Sequence, residues 1–169
     1  MTDRIILCGF MGCGKSTIGR LLAQRLGFSF VDTDEYIEQQ ANRSVAELFA
    51  QEGEAGFRRR ETDACRALAA CPRLVVAAGG GTLLAPQNLA LLRPGSCIVY
   101  LYISPETAVL RLRDDTQRPL LQVPDREAVI RRLLAARDPL YRAAADRVVN
   151  AEGSPAETVT ALLQLFCEK

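Results

Sequence analysis

The sequence contains no histidine and no tryptophan, and of its 21 basic residues only Lys15 and Lys169 are lysine. Without histidine, zinc sites lose a usual ligand and the Ser-His-Asp triad loses an essential member. Six cysteines stand at positions 8, 13, 65, 71, 97 and 167, but no CxxC pair occurs. A chain of 169 residues with 49% hydrophobic residues can bury a core without staples, so these cysteines read as reduced, mostly buried thiols. Charge of one sign is also lacking: the formal net charge of +1 gives no global attraction to nucleic acid or to an anionic membrane, and neither is expected as a partner. No apolar run reaches membrane-spanning length, and "MTDR" leads directly into a short apolar strand, so a cytoplasmic protein is expected. Any anion must be bound locally.

A place for such an anion is written near the start. In "ILCGFMGCGKST", Ile6 to Thr17, a run of β-formers stops at a glycine loop, followed at once by a lysine and two hydroxyls. The pattern Gly9-x4-Gly14-Lys15-Ser16 would arise by chance in roughly one such chain in a thousand. Its setting agrees, because "RIILC" reads as a buried strand and "KSTIGRLLAQRLG" as a helix with Ile18, Leu21, Leu22 and Leu26 on one face and Gly27 as the stop. Strand, glycine loop and helix aim successive backbone N–H groups at one anion. The amides around Gly12, Cys13, Gly14, Lys15, Ser16 and Thr17 would cradle phosphate, Lys15 would reach the terminal phosphates, and the Ser16 hydroxyl would take Mg²⁺.

The remainder alternates in the α/β manner. "FSFVD", "RLVVAA", "CIVYLYI" and "DRVVNA" read as four further strands, separated by helices. Ser44 with Glu47, Ser104 with Pro105, and Ser154 with Pro155 and Glu157 mark helix starts. One α/β domain over residues 1–169 is predicted, a central parallel sheet flanked by helices. Between Arg111 and Glu127, charge, Pro119 and Pro124 break the helical pattern, and this stretch reads either as an inert surface loop or as a lid over about 112–124. A GTPase would show Asp-x-x-Gly and Asn-Lys-x-Asp, and neither occurs.

What does occur, in order, is "VDTDEYIE", "GFRRRE", "AAGGGT", "QRPLL" and "RDPLY". With the phosphate loop, these pieces make the chain resemble shikimate kinase from Ile5 to about Val149. The resemblance implies a nucleoside-monophosphate-kinase-like P-loop fold with a five-stranded parallel sheet and a mobile lid. It implies transfer of the γ-phosphoryl of ATP, with Mg²⁺, to the 3-hydroxyl of shikimate, on the route to chorismate and the aromatic amino acids. A monomer is expected.

The residues suit that chemistry. A small polyhydroxylated acid needs forked cations for its carboxylate and an anionic acceptor for its hydroxyls. Arg58 and Arg137 match the forks, with Glu61 one turn from Arg58 able to fix its orientation. Asp34 matches the group that orients or deprotonates the attacking hydroxyl; its simpler reading is a carboxylate in the first turn of a helix. Asp32 matches a position near the Mg²⁺, Gly80 and Gly81 a backbone approach to substrate, Arg118 a lid cation closing on the phosphates, and Arg111 a side chain near the adenine. Two positions depart from the family pattern. In "NAEGSP", Glu152 stands where a cation is common, which leaves the base selectivity open. Cys13 puts a thiol in the phosphate loop, either as a small residue that fits or as a redox-active group. Two further readings stay open: a gluconate-type or nucleoside monophosphate kinase with another acceptor pocket, and a non-enzymatic nucleotide-binding module.

Overall fold

The computed structural model describes residues 4–116 and 118–167. Gln117 of the expected lid, the Cys167 side chain and Lys169 lie outside that description. Five strands, β1 (Arg4–Cys8), β2 (Ser29–Asp32), β3 (Leu74–Ala77), β4 (Ser96–Tyr102) and β5 (Arg147–Asn150), form one sheet in the order β2-β3-β1-β4-β5. Every ladder is parallel, with Ile6 opposite Val76 on one side and Ile98 on the other. The central strands β1 and β3 are buried along their whole length, which is why they read as unbroken apolar runs rather than as alternation. The edge strands β2 and β5 are more exposed.

Among the described residues, seven α-helices connect and cover the strands: α1 (Lys15–Leu26), α2 (Thr33–Ala41), α3 (Val45–Leu68), α4 (Pro86–Leu92), α5 (Pro105–Leu112), α6 (Arg126–Ala144) and α7 (Pro155–Cys167). The anticipated punctuation holds. Gly27 ends α1 in the left-handed region at φ 65°, and its N–H and that of Phe28 close onto the last turn. Ser44 and Glu47 form a reciprocal capping box at α3, and Ser154 with Glu157 makes the same pair of bonds at α7. Inside α3 the backbone breaks at Gly53 (φ 70°), so the part carrying Phe57 and Arg58 runs in its own direction, and Arg60 bridges back across the break to Glu52 at 2.6 Å.

One large core lies between the sheet and its helices, and a smaller cluster of Ile37, Leu48, Phe57 and Ala64 joins α2 to α3. Burying Phe57 contributes on the order of 2–3 kcal/mol and fixes the helix face from which Arg58 leaves. Cys8, Cys13, Cys65, Cys71 and Cys97 are free thiols, as expected. Among the described residues, no helix is long and apolar enough to cross a membrane.

β1 lies between β3 and β4, so the chain leaves the C-terminal ends of neighbouring strands in opposite directions. A crevice opens at such a switch point, and ligands of open parallel sheets bind there.

Candidate active site

The crevice is a cleft of about 460 Å³ at the C-terminal ends of β1, β2 and β3. Its lining brings together the phosphate loop (Gly12, Gly14, Lys15, Ser16, Thr17), the carboxylates Asp32, Asp34 and Glu61, the glycines 79–81, and Arg58, Arg118 and Arg137. Residues far apart in sequence thus bring cations and carboxylates together around one cleft.

The loop is shaped for an anion. Gly12 (φ 81°) and Gly14 (φ 90°) sit in the region that L side chains rarely adopt, and Gly14 precedes α1 with no side chain capping its first turn. The first intrahelical bond runs from Ile18 N to the Gly14 carbonyl, so the amides of the opening turn face the cleft end uncapped. Lys15 Nζ donates to the carbonyls of Gly9 (2.8 Å) and Phe10 (3.1 Å), which hold the ammonium over the loop. Ser16 Oγ donates to Asp32 Oδ2 at 2.5 Å, while Asp32 Oδ1 accepts from the amides of Asp34 and Glu35 and so caps α2. Two hard oxygen donors beside an anion cradle suit Mg²⁺, which keeps waters and substrate phosphates as its other ligands.

Asp34 occupies the first turn of α2 and also lines the cleft, so its place in the helix does not take it away from a ligand. Burial, with the neighbouring carboxylates of Asp32 and Glu61, pushes its pKa up to about 6. Arg58 donates to Glu61 at 2.6 Å and to Glu54 at 3.3 Å. Glu61 is only 1% exposed and takes its second bond from Thr82 Oγ1 at 2.7 Å. It therefore orients Arg58 rather than presenting a free carboxylate to a ligand. Two of these glycines also make room for side chains: a Cβ on Gly79 would come within 2.8 Å of Asp34, and one on Gly81 within 2.6 Å of Arg58.

Two of the expected site residues, Cys13 and Arg111, are not part of the cleft lining. The Cys13 side chain is fully buried beneath the loop, 3.6 Å from Lys15 Nζ, and its amide donates to the Phe10 carbonyl, so it packs the loop from below and its thiol does not face the cleft. The reading as a small residue that fits is the one realised. Arg111 lies outside the cleft lining and bridges the Gly12 carbonyl to those of Ala151 and Glu152. Glu152 points elsewhere, accepting from Ser104 N (3.0 Å) and Thr107 Oγ1 (2.7 Å) at the start of α5. Those bonds draw its pKa down to about 2. Its charge caps a helix, which explains an acid where a cation was expected. Arg118 does line the cleft and pairs with Asp115 one turn away.

Sequence reasoning missed the buried supports. Thr33 Oγ1 accepts from Gly79 N at 2.8 Å, Asn88 Nδ2 donates to the Thr82 carbonyl at 3.0 Å, and Tyr141 OH donates to the Gly80 carbonyl at 2.6 Å. Tyr141 stands one turn beyond Arg137, a spacing that could have flagged it.

A phosphate loop at the head of a parallel five-stranded sheet, opening on a cleft of paired carboxylates and guanidinium groups, defines a P-loop kinase. The family model described as shikimate kinase matches residues 11–167. A shikimate kinase of Neisseria meningitidis serogroup C is 46% identical over 161 residues, covering 95% of this chain and 94% of its own. A structure of shikimate kinase from Acinetobacter baumannii in complex with shikimate superposes with a TM-score of 0.92 at 40% identity, over 98% of this chain and 93% of that one. The chain belongs to the shikimate kinase family. A gluconokinase from Sinorhizobium meliloti shares the fold alone, with a TM-score of 0.62 at 18% identity over 97% of this chain and 93% of that one.

Proposed function

We propose that the protein phosphorylates the 3-hydroxyl of shikimate with ATP as donor, acting as a cytoplasmic monomer of a single domain. Membership of the family supports the reaction, and the observation within this chain that carries it is the convergence of Arg58, Arg137 and Asp34 on one cleft beside the phosphate loop. Two guanidinium groups match one carboxylate with planar forks, and a carboxylate with a pKa of about 6 can accept a hydroxyl proton at neutral pH. A nucleoside monophosphate offers phosphate rather than carboxylate to such forks, and a pure binding module needs no acceptor site; gluconate is also a polyhydroxylated acid, and what favours shikimate over it is membership of the family, since the gluconokinase shares the fold alone.

The division of labour follows from the charges. Amides of the loop and of the first turn of α1 bind the donor's phosphates, and Lys15 and Arg118 stabilise charge on the transferring group. Arg118 comes from the segment 112–124, which serves as the lid. Ser16 and Asp32 would hold Mg²⁺, which when bound neutralises the donor's phosphate oxygens. Arg58, held by Glu61, and Arg137 orient the acceptor. Asp34 positions its hydroxyl and takes the proton. Arg111 ties the loop to the segment after β5, the side proposed for the adenine.

A coupled assay with ATP and Mg²⁺, scanning shikimate, gluconate and nucleoside monophosphates, tests the assignment. Turnover is expected with shikimate alone. Turnover with another acceptor, or with none, overturns it.

A further inference from the structure

The carboxylate-binding side of the cleft comes from two pieces of chain, α6 with Arg137 and the glycine turn at 79–81. Tyr141 joins them. Its hydroxyl donates to the Gly80 carbonyl at 2.6 Å, and a Cβ on Gly80 would lie 3.7 Å from that hydroxyl and 3.4 Å from the Arg137 guanidinium. Tyr141 is 1% exposed, and its ring packs at a tilt of 35° against Tyr100, 5.2 Å between centroids. The Tyr100 hydroxyl in turn donates to Asp138, on the turn of α6 that carries Arg137, at 2.8 Å. The outer neighbours of Gly80 are the two glycines that make room for Asp34 and Arg58. One hydroxyl therefore sets the spacing between Arg137 and the wall that holds the other two acceptor-site groups. Burial keeps the hydroxyl protonated, with its pKa pushed up to about 12, so the bond persists across the working pH range.

We infer that Tyr141 is a positioning residue for the acceptor: its bond to Gly80 registers the Arg137 fork against Arg58 and Asp34, and it acts on acceptor binding rather than on the donor. This rests on the reading of Arg137 as a carboxylate fork. An interaction of this kind, when lost, displaces a binding group by a fraction of an ångström, and binding energy is steep in that displacement.

The test uses Tyr141→Phe, which keeps the packed ring and removes only the donor. KM for shikimate should rise about 5–20-fold, the effect of one hydrogen bond, while KM for ATP stays within twofold of the parent. In an Arg137→Lys background the same change should have little further effect, because the fork it registers is already lost. Equal increases in both KM values, or full additivity of the two changes, overturn the inference. If Arg137→Lys alone leaves KM for shikimate unchanged, the carboxylate reading itself fails. If Arg137→Lys raises it and Tyr141→Phe does not, only the role of Tyr141 falls. Thermal unfolding of Tyr141→Phe is expected to stay cooperative, and a KM change confined to one substrate is not produced by a general loss of stability.

Discussion

Asp34 Oδ1 fills the space that a side chain on Gly79 would need, since a Cβ there would come within 2.8 Å of it and within 3.0 Å of Thr82 Oγ1. The glycine is thus part of the seat of the carboxylate. Gly79→Ala should push Asp34 off its line to the acceptor hydroxyl and disturb the Thr82–Glu61 bond that steadies Arg58. A displacement of about 1 Å at a reacting group can cost about 10²-fold in rate, so kcat should fall on that order. KM for ATP should hold, because the phosphate loop is untouched. Steady-state kinetics with both substrates varied measures the split.

The role proposed for Asp34 comes at a cost in stability. Its folded pKa of about 6 lies above its ordinary 3.8, so between those values the folded protein holds a proton that the unfolded chain releases. Stability therefore falls as pH rises through that window, and above it the buried charge costs up to about 2–3 kcal/mol. Asp34→Asn removes this cost. The variant should melt higher than the parent at pH 8, with the gain shrinking toward zero as pH falls through 6 to 4. Its kcat should drop by about 10²–10⁴ with ATP binding retained, and kcat of the parent should decline below about pH 6 as the base protonates. A variant that turns over normally would show that transfer relies on positioning by Lys15, Arg118 and the donor's metal, which a loose transition state permits.

Much of this site was legible in the chain because its anchors are local. The phosphate loop, α1 and the helix caps at Ser44 and Ser104 depend on residues within a turn or two of one another, and the five strands stood out because a parallel sheet covered on both faces needs apolar runs. What stayed hidden depends on contacts across the sequence. Glu152 reaches Ser104 from the far side of β5, Thr82 reaches Glu61, and Tyr141 reaches Gly80. The inward turn of Cys13 was likewise invisible, because a loop residue in sequence gives no sign of which side of the loop its Cβ takes.

Burial of Cys13 carries a prediction opposite to the one a loop thiol suggests. Its side chain has no exposed surface, whereas Cys71 is exposed after α3. A thiol alkylating reagent should modify Cys71 well before Cys13 in the folded protein, with little loss of activity and no protection by ATP. Peptide mass mapping against time gives the order. Rapid inactivation that survives Cys71→Ser and is slowed by ATP would restore an accessible loop thiol.

Lys15 is almost the sole lysine of a chain otherwise written in arginine, which makes its replacement by arginine the informative one. Its ammonium fits between the Gly9 and Phe10 carbonyls at 2.8 and 3.1 Å, with the Cys13 sulfur at 3.6 Å, a space set by loop backbone and a buried side chain. A compact point charge satisfies that seat and still faces the cleft; a planar guanidinium is wider and directs its donors in one plane. Lys15→Met should lower kcat by about 10²–10³, equivalent to ~3–4 kcal/mol of transition-state charge stabilisation, in a protein that remains folded. Lys15→Arg keeps the charge and should recover only a minor part of that loss. If arginine restores the rate, the positive charge alone is sufficient there and the two carbonyls have no part in placing it. Single-turnover kinetics at saturating ATP, with circular dichroism to show the fold intact, separates these outcomes.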